Sequence, residues 1–150
     1  SLRQLNSSEF FDDRDYLLLS EYAEPKITYQ PDQRFRTTIG FRFGSKKNLE
    51  GANESLEEMK LGTEVRYNSA DAGLLTARFN FIRLDYTGNT NSFIAYEMLG
   101  GLSSGRNLTW NLSLLRNINS IIQVNVGYEG RKGEGKRTVH TGNVQFRAFF

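Results

Sequence analysis

Residues 121–150, IIQVNVGYEGRKGEGKRTVHTGNVQFRAFF, decide the fold that the sequence predicts. Apolar and polar residues alternate from 122 to 129, and the alternation returns from 143 to 150 after a short charged segment. The apolar members are Ile122, Val124, Val126, Tyr128, Val144, Phe146, Ala148 and Phe150. Because successive side chains on a strand point to opposite faces, each half predicts a β-strand with one apolar and one polar face.

The same alternation extends toward the N-terminus. Further strands are predicted at residues 23–30, 34–43, 59–68, 75–86, 94–98 and 107–114. No segment has the helical period over a useful length. The sequence therefore predicts an all-β fold, an antiparallel up-and-down meander of about eight strands. This sheet would occupy residues 16–150, after a polar lead-in at residues 1–15.

Two positions interrupt the regular pattern. Pro25 cannot donate a ladder hydrogen bond, so the first strand should lie at an edge of the sheet or be bulged there. In the fourth strand the apolar residues change parity between Phe81 and Ile82. Since such a slip moves every later side chain to the other face, we expect a β-bulge at this point.

Composition excludes several classes of protein. The net charge of +2 is too small for a nucleic-acid binder, and the absence of Cys excludes disulfides and thiolate metal sites. The sequence contains no run of about 18 apolar residues, so it predicts no transmembrane helix. The first residues, SLRQ, form no signal peptide, so an exported protein would be mature or a fragment. No cofactor is expected.

Two environments fit a sheet with one apolar and one polar face. In a membrane barrel the apolar face contacts lipid, whereas in a soluble sheet it contacts a core. The long alternating strands, the aromatic residues near strand ends and the terminal Phe150 favour the membrane. The residues expected to face lipid near mid-bilayer are Leu108, Trp110, Leu112, Val124 and Val126.

The segment from Ile94 to the C-terminus resembles a known group of proteins. It contains IAYEMLGGLSSGRN, then the strand with Trp110, then YEGRK, VHTG and the final RAFF. These motifs resemble the C-terminal strands of large outer-membrane proteins of Bacteroidota-type bacteria, and EPKITY at residues 24–29 is a weaker match. The resemblance implies the final part of a transmembrane barrel, recognised by the barrel-assembly machinery through its last strand. Within that strand, the assembly signal would comprise Phe146, Ala148 and Phe150.

Four short motifs favour structural explanations. Residues 130–136, GRKGEGK, have P-loop spacing, but Arg137 replaces Ser or Thr and a strand follows, so a hairpin loop is expected. His140 has no acidic partners at ligand spacing and should lie on the apolar face. The cluster at Asp12, Asp13 and Asp15 lacks the pattern of a calcium loop, so no metal site is predicted. The glycosylation-type motifs at Asn107 and Asn111 fall within a strand, where these residues should belong to the polar face.

The charged residues of the polar faces form the one constellation with a possible function. The candidate lumen-facing residues are Arg34, Arg36, Arg42, Lys60, Glu64, Arg66, Glu129 and Arg147. Their arginines, together with Arg78, could favour anions in a pore. Alternatively, they form a structural ladder in which Glu64, Glu97 and Glu129 pair with arginines across strands, and this ladder is the favoured interpretation.

The leading hypothesis is a porin-like outer-membrane β-barrel protein, or its C-terminal portion, of a Gram-negative bacterium. It would act without catalysis as a channel, scaffold or translocon wall. Its partners would be outer-membrane lipid, the assembly machinery and further strands of the same or another polypeptide. The polar faces carry more Arg and Lys than Glu, and this excess, together with Pro25 in the first strand, predicts one arc of a larger sheet. The alternatives are a soluble antiparallel β-barrel or sandwich that binds a small apolar ligand, and an enzyme within a barrel, which no nucleophile and base support.

Overall fold

In the computed structural model, which describes residues 18–49, 54–70 and 73–149, the chain forms one antiparallel sheet. The strands are β1 (Leu18–Ala23), β2 (Lys26–Tyr29), β3 (Phe35–Asn48), β4 (Ser55–Ser69), β5 (Gly73–Thr87), β6 (Gly105–Asn117), β7 (Ile122–Gly133) and β8 (Val139–Ala148). A short helix, α1 (Phe93–Leu99), lies between β5 and β6. From β3 to β8 each strand pairs with the next along the chain, and β1 and β2 both pair with β3, so the predicted all-β meander is confirmed.

Pro25 divides the first strand into β1 and β2. Both pieces pair with β3 in one continuous register, in which Ala23 lies opposite Phe43 and Lys26 opposite Gly40. Between them, the Pro25 carbonyl accepts a hydrogen bond from the Phe41 backbone N–H at 3.0 Å. The interrupted strand lies at an edge of the sheet, as Pro25 predicts, because an edge tolerates a missing backbone donor.

The expected strand at residues 94–98 is wrong, because this segment is α1. The Ser92 side chain accepts from the Ala95 N–H, and Gly100 ends the helix in the left-handed conformation with φ of 59°. Ala95, Met98 and Leu99 are buried at the i, i+3, i+4 spacing of one helical face. Local capping and this buried face outweigh the short alternation that predicts a strand.

The expected bulge at Phe81 and Ile82 is also wrong. The β4–β5 register continues without a break, with Leu61 opposite Phe81 and Lys60 opposite Ile82. The apolar residues of β5 therefore move from one face of the sheet to the other at this point. Ile82 faces the same side as α1, which covers it, so no extra residue is needed to keep an apolar side chain out of water.

The described sheet has a small core at one end. The buried apolar residues are Leu56, Ile82, Leu84, Ala95, Met98 and Leu99, with Tyr86, Ile94 and Leu102 packed against them. They join the end of the polar face to α1. The apolar face has no comparable cover in the described structure, and large side chains along it such as Phe79 and Phe81 are half exposed.

The two ends of the sheet have different connections. At the end where β8 stops, the connections between strands comprise residues 30–34, 70–72 and 118–121. At the opposite end, here the helix end, the connections span residues 49–54, 88–104 and 134–138. If residues 94–98 formed a strand, the connection between β3 and β4 would lie at the end where β8 stops. Since this segment is a helix, that connection lies at the helix end.

The sheet does not close on itself. Among the residues that the structure describes, β8 pairs only with β7, and no pairing joins it to β1 or β2. The expectation of an open arc is confirmed to this extent. Both edges of the sheet therefore offer backbone groups to another strand.

Candidate functional site

The structure brings most of the predicted charged residues onto one face. Register places Arg36, Arg42, Lys60, Glu64, Arg66, Arg78, Glu129 and Arg147 on the polar face. Arg34 lies in the turn immediately before β3. The alternation in the sequence is sufficient to find this face because β3 to β8 pair without a bulge.

Glu24 organises one end of the polar face. Its carboxylate lies 2.7 Å from the Arg42 guanidinium and 2.9 Å from the Lys26 ammonium. The Arg42 guanidinium also lies 5.2 Å from the ring centre of Tyr22 and 3.9 Å from the Glu58 carboxylate. Glu24 and Lys26 are not among the charged residues predicted from the sequence, although both flank Pro25 on the same face of the first strand as Arg42.

Glu64 organises the middle of the face. Its two carboxylate oxygens bind different arginines, Arg66 at 2.6 Å and Arg78 at 2.5 Å. Arg78 is its direct cross-strand neighbour on β5. This part of the predicted ladder exists, and it is built from one carboxylate shared by two cations.

The rest of the predicted ladder is wrong. Glu97 lies on α1 and forms no ion pair with any described residue. Glu129 accepts a hydrogen bond from the Asn111 amide at 3.1 Å and likewise pairs with no described cation. Within the described ranges, Arg36, Lys60 and Arg131 also lack a carboxylate partner within 4.0 Å.

Two grooves lie along the polar face. The first has a volume of about 310 Å³ and lies over β3 and β4, with Gly40 and Gly62 opposite each other in its lining. The second has a volume of about 480 Å³ and lies over β6 and β7. Arg78 and Asn80 on β5 line both grooves. The polar face therefore offers a continuous charged surface rather than one enclosed cavity.

A buried carboxylate holds the helix end together. Glu54 is 3% exposed and accepts hydrogen bonds from the Tyr86 hydroxyl at 2.9 Å and the Ser92 hydroxyl at 3.0 Å. The Lys46 ammonium donates to the Met98 carbonyl at 2.9 Å. Burial raises the pKa of the Tyr86 phenol, and the neighbouring Glu54 carboxylate also raises it. These contacts fix α1 over the end of the polar face.

The loop before β6 is fixed by Asn107. This residue is 3% exposed, and its amide donates to the Ser103 carbonyl at 2.6 Å and to the Gly105 carbonyl at 3.2 Å. Both Asn107 and Asn111 lie on the polar face, as expected. Their side chains are engaged in hydrogen bonds within the sheet and its loop.

The apolar face carries a band of mainly apolar residues, bordered by Lys132 opposite Leu108 and by Arg116 opposite Val124. The band comprises Ile27, Tyr29, Phe35, Thr37, Ile39, Phe41, Leu61, Thr63, Val65, Tyr67, Leu75, Ala77, Phe79, Phe81, Leu108, Trp110, Leu112, Leu114, Val124, Val126, Tyr128, Gly130, His140, Gly142, Val144 and Phe146. Toward the helix end the same face becomes charged, where Arg83 pairs with Asp85 at 3.1 Å. The apolar and polar faces thus exchange character at one level of the sheet.

His140 lies within this band, as its parity predicts. Its Nδ1 is 2.8 Å from the Tyr128 hydroxyl, and its ring centre is 5.8 Å from that of Trp110. Trp110 covers Gly130, which lies between the two on β7. His140 therefore has aromatic and phenolic partners in the described structure.

The remaining predicted sites have simple outcomes. Residues 130–136 belong to the β7–β8 hairpin, as expected. Phe146 and Ala148 lie on the apolar side of β8, whereas Phe150 and the cluster Asp12, Asp13 and Asp15 lie outside the described residues. In the part of the chain that is described, no three His, Cys, Asp or Glu side chains group as metal ligands.

No helix formed by residues 18–49, 54–70 and 73–149 has both the length and the apolar character of a membrane-spanning helix. The chain matches no protein-family model, and comparisons with curated proteins and with solved structures give no match either.

Proposed function

We propose that this chain forms part of the wall of a β-barrel in the outer membrane of a Gram-negative bacterium. The apolar band contacts lipid, and the polar face points to the interior. The barrel acts without catalysis as a channel, scaffold or translocon wall. Further strands, from the same or another polypeptide, complete the sheet at its free edges.

The observation that carries this proposal is the uncovered apolar band. Phe41 and Phe79 within it are 45% and 50% exposed, and no described element packs over them. Monomeric soluble proteins rarely expose a contiguous apolar surface of more than a few hundred Å². Lipid is the environment that satisfies such a face without a second protein layer.

The dimensions of the band agree with a membrane. The band covers residues 35–41 on β3 and residues 61–67 on β4, and the apolar pair Phe43 and Met59 extends it to nine residues on these two strands. A tilted strand needs about 9–11 residues to cross a bilayer. The strands continue beyond the band at the helix end, where Arg83 and Asp85 would lie in the polar interface or in water. The longest connection, residues 88–104, lies at the helix end, and unequal connections at the two ends are typical of outer-membrane barrels.

The alternative, a soluble barrel that binds a small apolar ligand, requires an apolar interior. The two grooves over β3–β4 and β6–β7 are lined mainly by residues of the polar face, including Arg36, Lys60 and Arg131. An apolar ligand would gain little there. The open face favours the membrane environment over this alternative.

Neighbouring residues on opposite faces of β6 provide the test. The chain has no Cys, so Leu112→Cys and Ser113→Cys can each carry a single environment-sensitive fluorophore. The protein, exported to the outer membrane, is examined in membrane vesicles. We expect brominated lipid to quench the label at 112, and aqueous iodide to reach the label at 113 more readily. Equal quenching by iodide at both positions, or recovery of the intact protein without detergent, would overturn the proposal.

The last strand provides a second test. If the assembly machinery recognises Phe146, Ala148 and Phe150, a triple substitution to Ser should reduce the amount of protein inserted in the outer membrane. The matched control replaces Asn143, Gln145 and Arg147 on the other side of the strand by Ser. Equal insertion of both variants would contradict a role for the apolar side of β8.

A further inference from the structure

The first groove on the polar face has more positive than negative charge. Its lining contains Lys26, Arg36, Arg42, Lys60 and Arg78, but only Glu24 and Glu64 as carboxylates, which gives a net charge of +3. Each carboxylate is already shared between two cations. The ion pairs that the structure contains therefore leave an excess of positive charge in the groove.

Cross-strand register places like charges opposite each other at both sides of this groove. Arg36 lies directly opposite Arg66, and Arg42 directly opposite Lys60. Like charges in directly opposed positions destabilise a sheet. Arg42 and Arg66 have carboxylate partners, whereas Arg36 and Lys60 have none among the described residues. The two like-charge pairs are separated on this face by the rows Thr38–Glu64 and Gly40–Gly62, so an anion in the groove between the pairs would reduce both repulsions.

Gly40 and Gly62 open the space that an anion would need. They lie opposite each other in a row between Thr38–Glu64 and Arg42–Lys60, and neither adds a side chain to the floor of the groove. The floor is bordered by the Lys26 stem, whose Cγ lies 3.2 Å from the position of a Cβ on Gly40, and by Asn80, whose Oδ1 lies 3.0 Å from that on Gly62. The Lys60 side chain leans toward this floor, since its Cε lies 3.9 Å from the position that a Cβ on Gly62 would occupy. The groove volume of about 310 Å³ is that of a small ligand site.

We propose that this groove binds a phosphate group, either inorganic phosphate or the phosphate of a small solute, over Gly40 and Gly62. Lys60 and Arg36 supply the charges, and Arg78 and Asn80 bound the site on the β5 side. Guanidinium and ammonium groups are the usual partners of phosphate in proteins. A net charge of +3 favours a doubly charged phosphate over a carboxylate with one charge. The proposal concerns the polar face alone and does not depend on what contacts the apolar face.

The test is calorimetric titration of the detergent-solubilised chain with inorganic phosphate at constant ionic strength, with acetate as the carboxylate probe. Loss of a charged hydrogen-bond partner should weaken binding about tenfold or more for each of Arg36→Gln and Lys60→Gln. Arg116→Gln, which removes the same charge from the other face, should leave the affinity within about twofold. Gly62→Val keeps all charges but fills the floor, so it should also weaken binding.

Circular dichroism of each variant, and recovery of affinity in Lys60→Arg, separate loss of the site from loss of the fold. Saturable phosphate binding that weakens in Arg36→Gln, Lys60→Gln and Gly62→Val supports the proposal. Three results would overturn it: no saturable phosphate binding by the unmodified chain, equal weakening in Arg116→Gln, or acetate binding as tight as phosphate binding. If the fluorophore at residue 112 proved to be in water, the titration result would be unaffected, because the titration reports only on the groove.

A phospholipid headgroup is a second source of the phosphate group. Vesicles of anionic phospholipid, added in place of inorganic phosphate, distinguish the two. Competition between free phosphate and vesicles at the groove would identify a headgroup as the ligand. Binding of free phosphate without such competition supports a soluble solute.

Discussion

The Ser92 hydroxyl donates a hydrogen bond to the buried Glu54 carboxylate at 3.0 Å. The same Ser92 oxygen accepts from the Ala95 N–H at 3.0 Å, so one side chain caps α1 and joins it to the start of β4. A helix of seven residues is too short to be stable on its own. The position of α1 over the sheet therefore depends on this bond and on the apolar cluster beneath the helix.

Replacement of Ser92 by Ala should loosen α1. The variant loses the N-cap and leaves Glu54 with one hydrogen-bond donor fewer, at a cost of about 1–2 kcal/mol. Amide hydrogen exchange should become faster in residues 93–99 and remain unchanged in β7. Thr90→Ala, in the same connection, is the control, because its exposed side chain has no comparable role. Unchanged exchange in α1 of the Ser92 variant would show that the cap does not hold the helix.

The chain has two methionines, and substitutions of each can show where its core lies. Met98, on the buried side of α1, is 1% exposed, whereas Met59 on the apolar face is 55% exposed. Truncation of a buried Met should lower the free energy of unfolding by about 2–5 kcal/mol, because it removes contacts and leaves a cavity. We expect Met98→Ala to cost at least about 1 kcal/mol more than Met59→Ala in denaturant titrations. The reverse order would mean that the small cluster is not the core.

Arginine substitutions on β6 test the environment of the apolar band energetically. Leu112→Arg places a charge in the band and should cost about 2–4 kcal/mol if the position is near mid-bilayer. Asn111→Arg is the matched control, since it lies on the polar face directly opposite Glu129. The quantity to measure is the free energy of folding into lipid vesicles. A cost near zero for Leu112→Arg would mean that this face meets water.

The contact between Trp110 and Gly130 provides an optical test of the band. A Cβ on Gly130 would lie within van der Waals overlap of the Trp110 ring, so Gly130→Ala should displace the indole and cost about 1–3 kcal/mol. Trp110 is the only Trp, so its fluorescence emission reports this site alone. Gly142→Ala is the control, because the atom nearest to its added Cβ is 3.9 Å away. An unchanged emission spectrum in Gly130→Ala would contradict the observed packing.

Strand periodicity predicts the polar face but not all of its contacts. Arg36, Lys60 and Arg147 fall on one face because a period of two is a local property of extended backbone. The pairing of Glu24 with Arg42 depends on which strands are neighbours and in which register. Those quantities are set by the whole sheet, and the sequence alone does not reveal them.

The same distinction explains the two errors near the helix end. Ser92 and the glycines at 100 and 101 are a capping pattern that indicates α1, but the alternation at residues 94–98 is equally visible over so short a segment. The parity change at Ile82 has two physical solutions, a bulge or a cover on the other face. Only the position of α1 decides between them, since it makes the polar face apolar at this end.

The sequence by itself determined an all-β antiparallel meander with one charged and one apolar face, because alternation requires only that each segment be extended. The tertiary structure decided that the sheet is open among its described residues, that the faces exchange character at the helix end, and that like-charged side chains oppose each other across β3 and β4. These properties arise from register and from contacts between distant segments. Local periodicity carries no information about either.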